Sequence, residues 1–213
     1  MKIIPNFVVF EGIDGSGTTT QMLLLEDHFK KISSPAFFPT FEPTKGPIGK
    51  VIRSALGKEI NLKAKSLAML FAADRNEHLY GPNGVVERCA RGELVVCDRY
   101  VLSSLVYQGL DCDDEIPWML NAAFPAPEQL FFFDLDSKLS IKRLESRGKT
   151  EIFEYPEFQA KAREKYLDLL EMYKDSDMKI TILDASKSKE EVFSQIWSVL
   201  SELPIIKQNE LIL

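Results

Sequence analysis

The sequence predicts an α/β fold, a three-layer parallel sheet with helices on both faces. Three observations carry this. Short apolar runs of strand length alternate with longer segments of helical period. The runs are near-continuously apolar, as strands covered on both faces are, rather than alternating in polarity. No repeat, low-complexity tract or Pro/Gly-rich linker divides the chain. With 213 residues the chain suffices for one sizeable core and not for two ordinary domains, so 1–213 is expected to form one domain.

Taken in order, Phe7–Glu11 reads as a buried strand and Thr18–Ile32 as a helix with Met22, Leu25, Phe29 and Ile32 on one side. Ala36–Thr40 is a strand candidate, and Gly46–Leu56 and Lys63–Tyr80 are helical. Leu94–Asp98 (LVVCD) is a second strong buried strand, and the segment holding Ser104, Tyr107 and Gln108 should be a helix. Gln129–Leu135 and Lys179–Asp184 are the remaining strands, with helices at Ser137–Ser146, Phe158–Lys174 and Lys189–Leu203. The stretch 147–157 (RGKTEIFEYPE) lacks a clean period and fits either an ordinary connection or a mobile lid. The tail Pro204–Leu213 is apolar enough to pack on the body or on a second subunit.

Lys+Arg 26 against Asp+Glu 32 gives a net charge of −6, which argues against a nucleic-acid polymer as partner. Small anions remain open, because one or two placed cations bind them. Cys89, Cys97 and Cys112 lack paired spacing, so neither a disulfide framework nor a zinc site is expected. The N-terminal apolar run is broken by Pro5 and Asn6, and no uncharged stretch approaches the roughly 20 residues a bilayer crossing needs. A cytoplasmic protein without membrane partners is the expectation.

The first strand runs into Gly12-Ile13-Asp14-Gly15-Ser16-Gly17-Thr18-Thr19-Thr20, which is G-x-x-x-x-G between a strand and a helix. Such glycines turn backbone N–H groups inward as an anion nest, and the helix N-terminus adds partial positive charge. Thr19 holds the position whose hydroxyl ligates Mg²⁺. Thr18 stands where the motif calls for Lys. Losing one preorganised donor to developing charge costs on the order of 10²–10³ in rate. Arg143, Arg147 and Lys149 are the candidates to replace it.

Three further groups suggest a second ligand. Phe71 and Arg75 are one helical turn apart, so a ring and a guanidinium share a face and could stack on a base and donate to its edge. The plainer alternative is Phe71 in the core and Arg75 paired with Glu11 or Asp74. Asp98 and Arg99 end a buried strand, where open α/β sheets bind ligands. Asp98 could hold Mg²⁺ and Arg99 a phosphate, or the pair could be a structural ion pair between strands. Ser104, Tyr107 and Gln108 share one helix side. His28 and His78 read as structural or solvated. Asp134 reads as a helix-entry residue or a support of the glycine loop.

The segments FEGIDGSGTTTQ (10–21), FEPT (41–44), FAADR (71–75), DRYVLSSLVYQG (98–109), FFFDL (131–135), RLESRG (143–148) and LDASKS (183–188) together resemble the thymidylate kinase family. They cover nearly the whole chain in family order. The resemblance implies a P-loop kinase fold with a short lid at about 147–157, ATP and Mg²⁺ as cofactors, and dTMP as acceptor. It implies catalytic roles for Asp14, Arg99 and Arg147, with Asp14 meeting the sugar 3′-OH. It places ATP on Gly12, Gly15, Ser16, Gly17, Thr18, Thr19, Thr20 and Arg143, with adenine near Asp184–Lys187. It places dTMP on Glu42, Phe71, Arg75, Asp98, Ser104, Tyr107 and Gln108, the tyrosine crowding the sugar 2′ position. A homodimer is also implied. Phe41 and Ile152 stand where relatives often carry Arg. Two rival readings stay open: a kinase for another deoxynucleoside monophosphate such as dUMP or dCMP, and a non-catalytic or weakly active nucleotide-binding module.

Overall fold

A computed structural model describes residues 2–32, 35–112, 115–146 and 151–210. In chain order the elements are β1 (Ile3–Gly12), α1 (Thr18–Ile32), β2 (Phe37–Phe41), α2 (Pro47–Leu56), α3 (Ala64–Tyr80), α4 (Val85–Ala90), β3 (Leu94–Asp98) and α5 (Val101–Asp111). Then follow α6 (Glu115–Asn121), β4 (Ala126–Asp134), α7 (Ser137–Glu145), α8 (Pro156–Tyr173), β5 (Lys179–Asp184), α9 (Lys189–Leu200) and α10 (Pro204–Glu210). The strands form one parallel sheet in the order β2-β3-β1-β4-β5.

Strand side chains divide between two cores, which explains the continuous apolar runs. Val8 and Phe10 of β1 and Phe131 and Phe133 of β4 face α1, α9 and α10. Leu130 and Phe132 of β4 face the opposite layer with Leu105 of α5 and Tyr166 of α8. Phe7 and Val9 face Leu79 of α3 and Cys89 of α4. Phe7–Phe10 of β1 and Leu130–Phe133 of β4 are therefore apolar without a break, although the pleat still alternates.

The expected strands are all present. One expected helix is corrected, and two short helices are added. The segment Lys189–Leu203 is not one helix: α9 stops at Leu200, and Pro204 starts α10, as a proline fits a first turn but not a helix interior. The helices α4 and α6 had no counterpart in the expected series, because six- and seven-residue segments are too short to show a period. The described tail packs on the body, with Ile205 and Ile206 buried beside Leu203. Among the described residues no helix is long and apolar enough to cross a membrane.

Candidate active site

β1 ends at Gly12 and α1 begins at Thr18, so the intervening loop sits at the carboxyl end of the sheet. Gly15 (φ +75°) and Gly17 (φ +102°) adopt left-handed conformations that a Cβ disfavours. The loop is braced from behind. The Ser140 hydroxyl of α7 donates to Asp14 O at 2.5 Å, and Arg143 donates to Gly15 O (3.3 Å) and Ala185 O (3.0 Å). Gln159 of α8 accepts from Asp14 N (3.0 Å) and donates to Asp14 Oδ2 (2.7 Å). Arg143 is thus a strut between the loop and the turn after β5, with its guanidinium spent on carbonyls rather than directed at a phosphate. Arg147 and Lys149, the other candidates to replace the loop lysine, lie outside the described residues.

β3 runs beside β1 and brings Asp98 level with Phe10. The Thr19 hydroxyl donates to Asp98 Oδ2 at 3.0 Å. Burial pushes the Asp98 carboxyl above its ordinary value, while Arg99 and the hydroxyls of Thr18 and Thr19 pull it back. Asp98 Oδ1 is buried with no hydrogen-bond partner among the described residues. Arg99 follows with φ +72°, an uncommon backbone state for a non-glycine residue, held by a bond from its N–H to Phe10 O (2.8 Å). Its guanidinium donates to Asp14 Oδ1 at 2.5 Å and to Ser103 Oγ at 3.3 Å, and lies 4.9 Å from the Tyr107 ring centroid. Arg99 thus pairs with Asp14 of the loop, an ion pair that links the ends of the neighbouring strands β3 and β1. Burial pushes the Tyr107 hydroxyl up, so it stays a neutral donor.

Below this lies a carboxylate the motifs did not single out as a support. Glu11 is fully buried and accepts from Tyr100 N (2.9 Å), Ser103 N (3.1 Å), Ser103 Oγ (2.5 Å) and Tyr166 Oη (2.9 Å). It caps the start of α5 and so fixes the segment that carries Arg99.

Arg75 is 1% exposed, and its partner is Glu42, which corrects the Glu11 or Asp74 alternative. Nε reaches Glu42 Oε2 at 2.9 Å, Nη2 donates to Tyr100 O (2.9 Å) and Ser104 Oγ (3.1 Å), and Nη1 donates to Asn121. Glu42 Oε1 also meets His78 Nδ1 at 3.0 Å, so His78 is structural. Asp74 instead receives Thr44 N and Thr44 Oγ1, both at 2.7 Å. Asp134 pairs with Arg163 Nε at 2.6 Å and Nη2 at 3.0 Å.

The loop and the Arg75 pocket open into one cleft of about 1040 Å³, the upper end of ligand-site sizes. Asp14, Gly15, Gly17, Thr18, Thr19, Asp98 and Arg99 line one part. Glu42, Phe71, Arg75, Ser104, Tyr107 and Gln108 line the other. Gly12 and Thr20 are not among the lining residues, and Ser16 lies buried behind them. The described lid residues do not hang free: Phe153 is buried, stacks on Phe158 (4.7 Å) and meets the Tyr107 ring edge-on (5.7 Å). Ile152 packs against the same core, and Pro156 already belongs to α8. Of the buried polar side-chain atoms without partners among the described residues, Ser16 Oγ, Asp98 Oδ1 and Tyr107 Oη all belong to this site. Orphaned polar atoms cost about 1–3 kcal/mol each, and a polar ligand relieves that cost.

A family model described as thymidylate kinase matches residues 10–196. The chain belongs to the thymidylate kinase family. It is 44% identical over 210 residues to the "Putative thymidylate kinase" of Treponema pallidum (strain Nichols), covering 97% of this chain and 100% of that protein. It is 38% identical over 203 residues to the "Probable thymidylate kinase" of Methanococcus aeolicus, covering 94% and 98%. A protein of the same description from Methanocaldococcus jannaschii is 38% identical over 199 residues, covering 93% and 97%. The five-stranded parallel sheet flanked by helices is the fold this family membership implies.

Two cations flank Phe41, the position where relatives often carry Arg. Lys45 Nζ lies 5.4 Å and Arg53 Cζ 5.2 Å from the Phe41 ring centroid, and both residues line the cleft. Neither was singled out from the sequence, where each is an unremarkable surface cation. Gln159 was missed too, although a lone amide among Phe158, Ala162, Tyr166 and Leu169 on the buried side of α8 was the available signal.

Proposed function

We propose that this chain transfers the γ-phosphoryl group of ATP to dTMP, giving ADP and dTDP, in the cytoplasm. The observation that carries the reading is Arg99. It stands between the loop carboxylate Asp14 and the Tyr107 ring, in a cleft that joins the glycine loop to the Phe71–Arg75 pocket. Family membership and the relatives' names support the same reaction.

In this mechanism the loop amides and the α1 N-terminus hold the donor phosphates, and Arg99 turns from Asp14 to clamp the acceptor phosphate with two parallel hydrogen bonds. An acceptor phosphate oxygen attacks the γ-phosphorus in line. The bond from the γ-phosphorus to the bridging oxygen breaks, and ADP leaves with that electron pair. No general base is required, because the acceptor phosphate is already ionised, so catalysis is positioning and charge neutralisation. Phe71 covers the base, and Arg75 offers its remaining Nη1–H to the base edge. Arg147, outside the described residues, closes over the moving group on the strength of the resemblance alone. The same resemblance supports a homodimer, which sedimentation measures, and the chain acting as one domain.

The donor set fits a hard divalent cation: Asp98 offers the unpartnered Oδ1, and the Thr19 hydroxyl stands 3.0 Å from Oδ2. Mg²⁺ there would neutralise donor-phosphate charge. The cleft needs such charge, since acids Asp14, Glu26, Glu42, Asp98, Glu151 and Glu154 outnumber cations Lys45, Arg53, Arg75 and Arg99 among its described lining residues. Asp98→Asn is expected to raise the Mg²⁺ concentration for half-maximal rate by about tenfold or more, the low end of metal-site losses. An unchanged Mg²⁺ titration removes Asp98 from that role.

Coupled ADP release with dTMP, dUMP and dCMP in competition tests the acceptor. Preference for dTMP supports the reading, and equal or greater use of dUMP or dCMP replaces it.

A further inference from the structure

We infer that Lys45 contacts the transferring phosphoryl group and supplies the charge that Thr18 withholds from the glycine loop. The inference deepens the kinase reading above and rests on it. The other described cations around the cleft are already engaged. The Arg75 charge is paired with Glu42, and its guanidinium also donates to Asn121, Tyr100 O and Ser104. Arg99 is paired with Asp14, and Arg53 donates to Pro43 O. Arg143 bridges two carbonyls behind the loop. Lys45 is exposed, lines the cleft together with Thr18, Thr19 and Asp98, and has no ion pair among the described residues. Its ammonium lies over the Phe41 ring face at 5.4 Å, a weak and easily released hold.

Its backbone is fixed while its head is free. Thr44 gives both its N–H and its hydroxyl to the buried Asp74 at 2.7 Å, and Gly46 N donates back to Thr44 Oγ1 at 3.0 Å. The residues on either side of Lys45 are thereby tied to α3. A pinned Cα with a four-carbon stem and an ammonium head is what point-charge neutralisation of phosphate asks for, and the loop lysine does the same in ordinary P-loops. Lys45 lines the same cleft as the glycine loop and would serve the same charge there.

A double-mutant cycle tests this. Lys45→Met is expected to lower kcat about 10²-fold, the usual loss of one preorganised donor, with the dTMP KM changing much less. Thr18→Lys should raise kcat by at least about tenfold in the Lys45→Met background, a larger factor than it produces in the unmodified chain, because two sources of one charge are not additive. Three results overturn the inference. One is a Lys45→Met kcat within about twofold of the unmodified chain. Another is a Lys45→Met defect confined to the dTMP KM. The third is a Thr18→Lys factor equal in both backgrounds. The exposed position of Lys45 leaves folding unaffected, which a urea midpoint checks. A second readout needs no acceptor: Lys45→Met should weaken binding of ADP with aluminium fluoride and Mg²⁺ by about tenfold or more, leaving ADP affinity alone. If the unmodified chain fails to phosphorylate dTMP while this loss is seen, the acceptor assignment falls and Lys45 stands. If the aluminium fluoride complex is indifferent to Lys45, the Lys45 assignment falls whatever the acceptor.

Discussion

Replacing Arg99 with Met is expected to lower kcat/KM for dTMP on the order of 10³-fold, the upper range for losing a preorganised charged donor. Arg99 lies between the glycine-loop carboxylate Asp14 and the Tyr107 ring, and its unusual φ of +72° is enforced by the Phe10 carbonyl on one side and by the Glu11-capped α5 on the other. The segment is thus built to hold that side chain in place. Arg99→Lys should recover only part of the loss, because an ammonium cannot form the two parallel bonds of a guanidinium. Stability should move little, since Asp14 keeps its bond from Gln159. Steady-state kinetics on both variants, with urea unfolding as a control, measure this. A Met variant with a kcat/KM within tenfold of the original removes Arg99 from the phosphate.

The second large effect concerns stability. Glu42→Ala leaves the Arg75 charge unpaired at 1% exposure, and breaking a buried pair in this way costs about 3–5 kcal/mol. Glu42→Gln keeps the shape and a hydrogen-bond acceptor for Arg75, so its cost should be smaller, about 1–3 kcal/mol. The free energy of unfolding in urea is the measurement. The dTMP KM should rise with the same ordering, because Arg75 then loses the contact that orients it towards the base pocket. Equal stability of the Ala variant and the original chain would show that Arg75 finds water or another partner there.

The sequence was most readable where function is carried by contiguous residues. The glycine loop announced itself because a strand, six tightly spaced residues and a helix follow one another, and Asp98–Arg99 because they end an apolar run. Partners remote in sequence stayed hidden. Glu11 meets residues 89 to 155 positions away, and no local pattern distinguishes that carboxylate from a solvated one at a strand end. Arg75 was read correctly as one turn from Phe71, but its acid was misjudged, since the chain reversal after β2 that delivers Glu42 leaves no periodic trace. Lys45 and Arg53 were passed over for the converse reason. Surface cations are common, and only the fold shows that these two flank Phe41 at the cleft.

Chromatographic detection of dTDP from purified protein, dTMP, ATP and Mg²⁺ tests the reading most directly. ADP and dTDP should appear in equal amounts, and both should vanish when a chelator removes the metal. ADP without dTDP, or no dTDP above a control lacking the protein, contradicts the proposed transfer and favours a nucleotide-binding module instead.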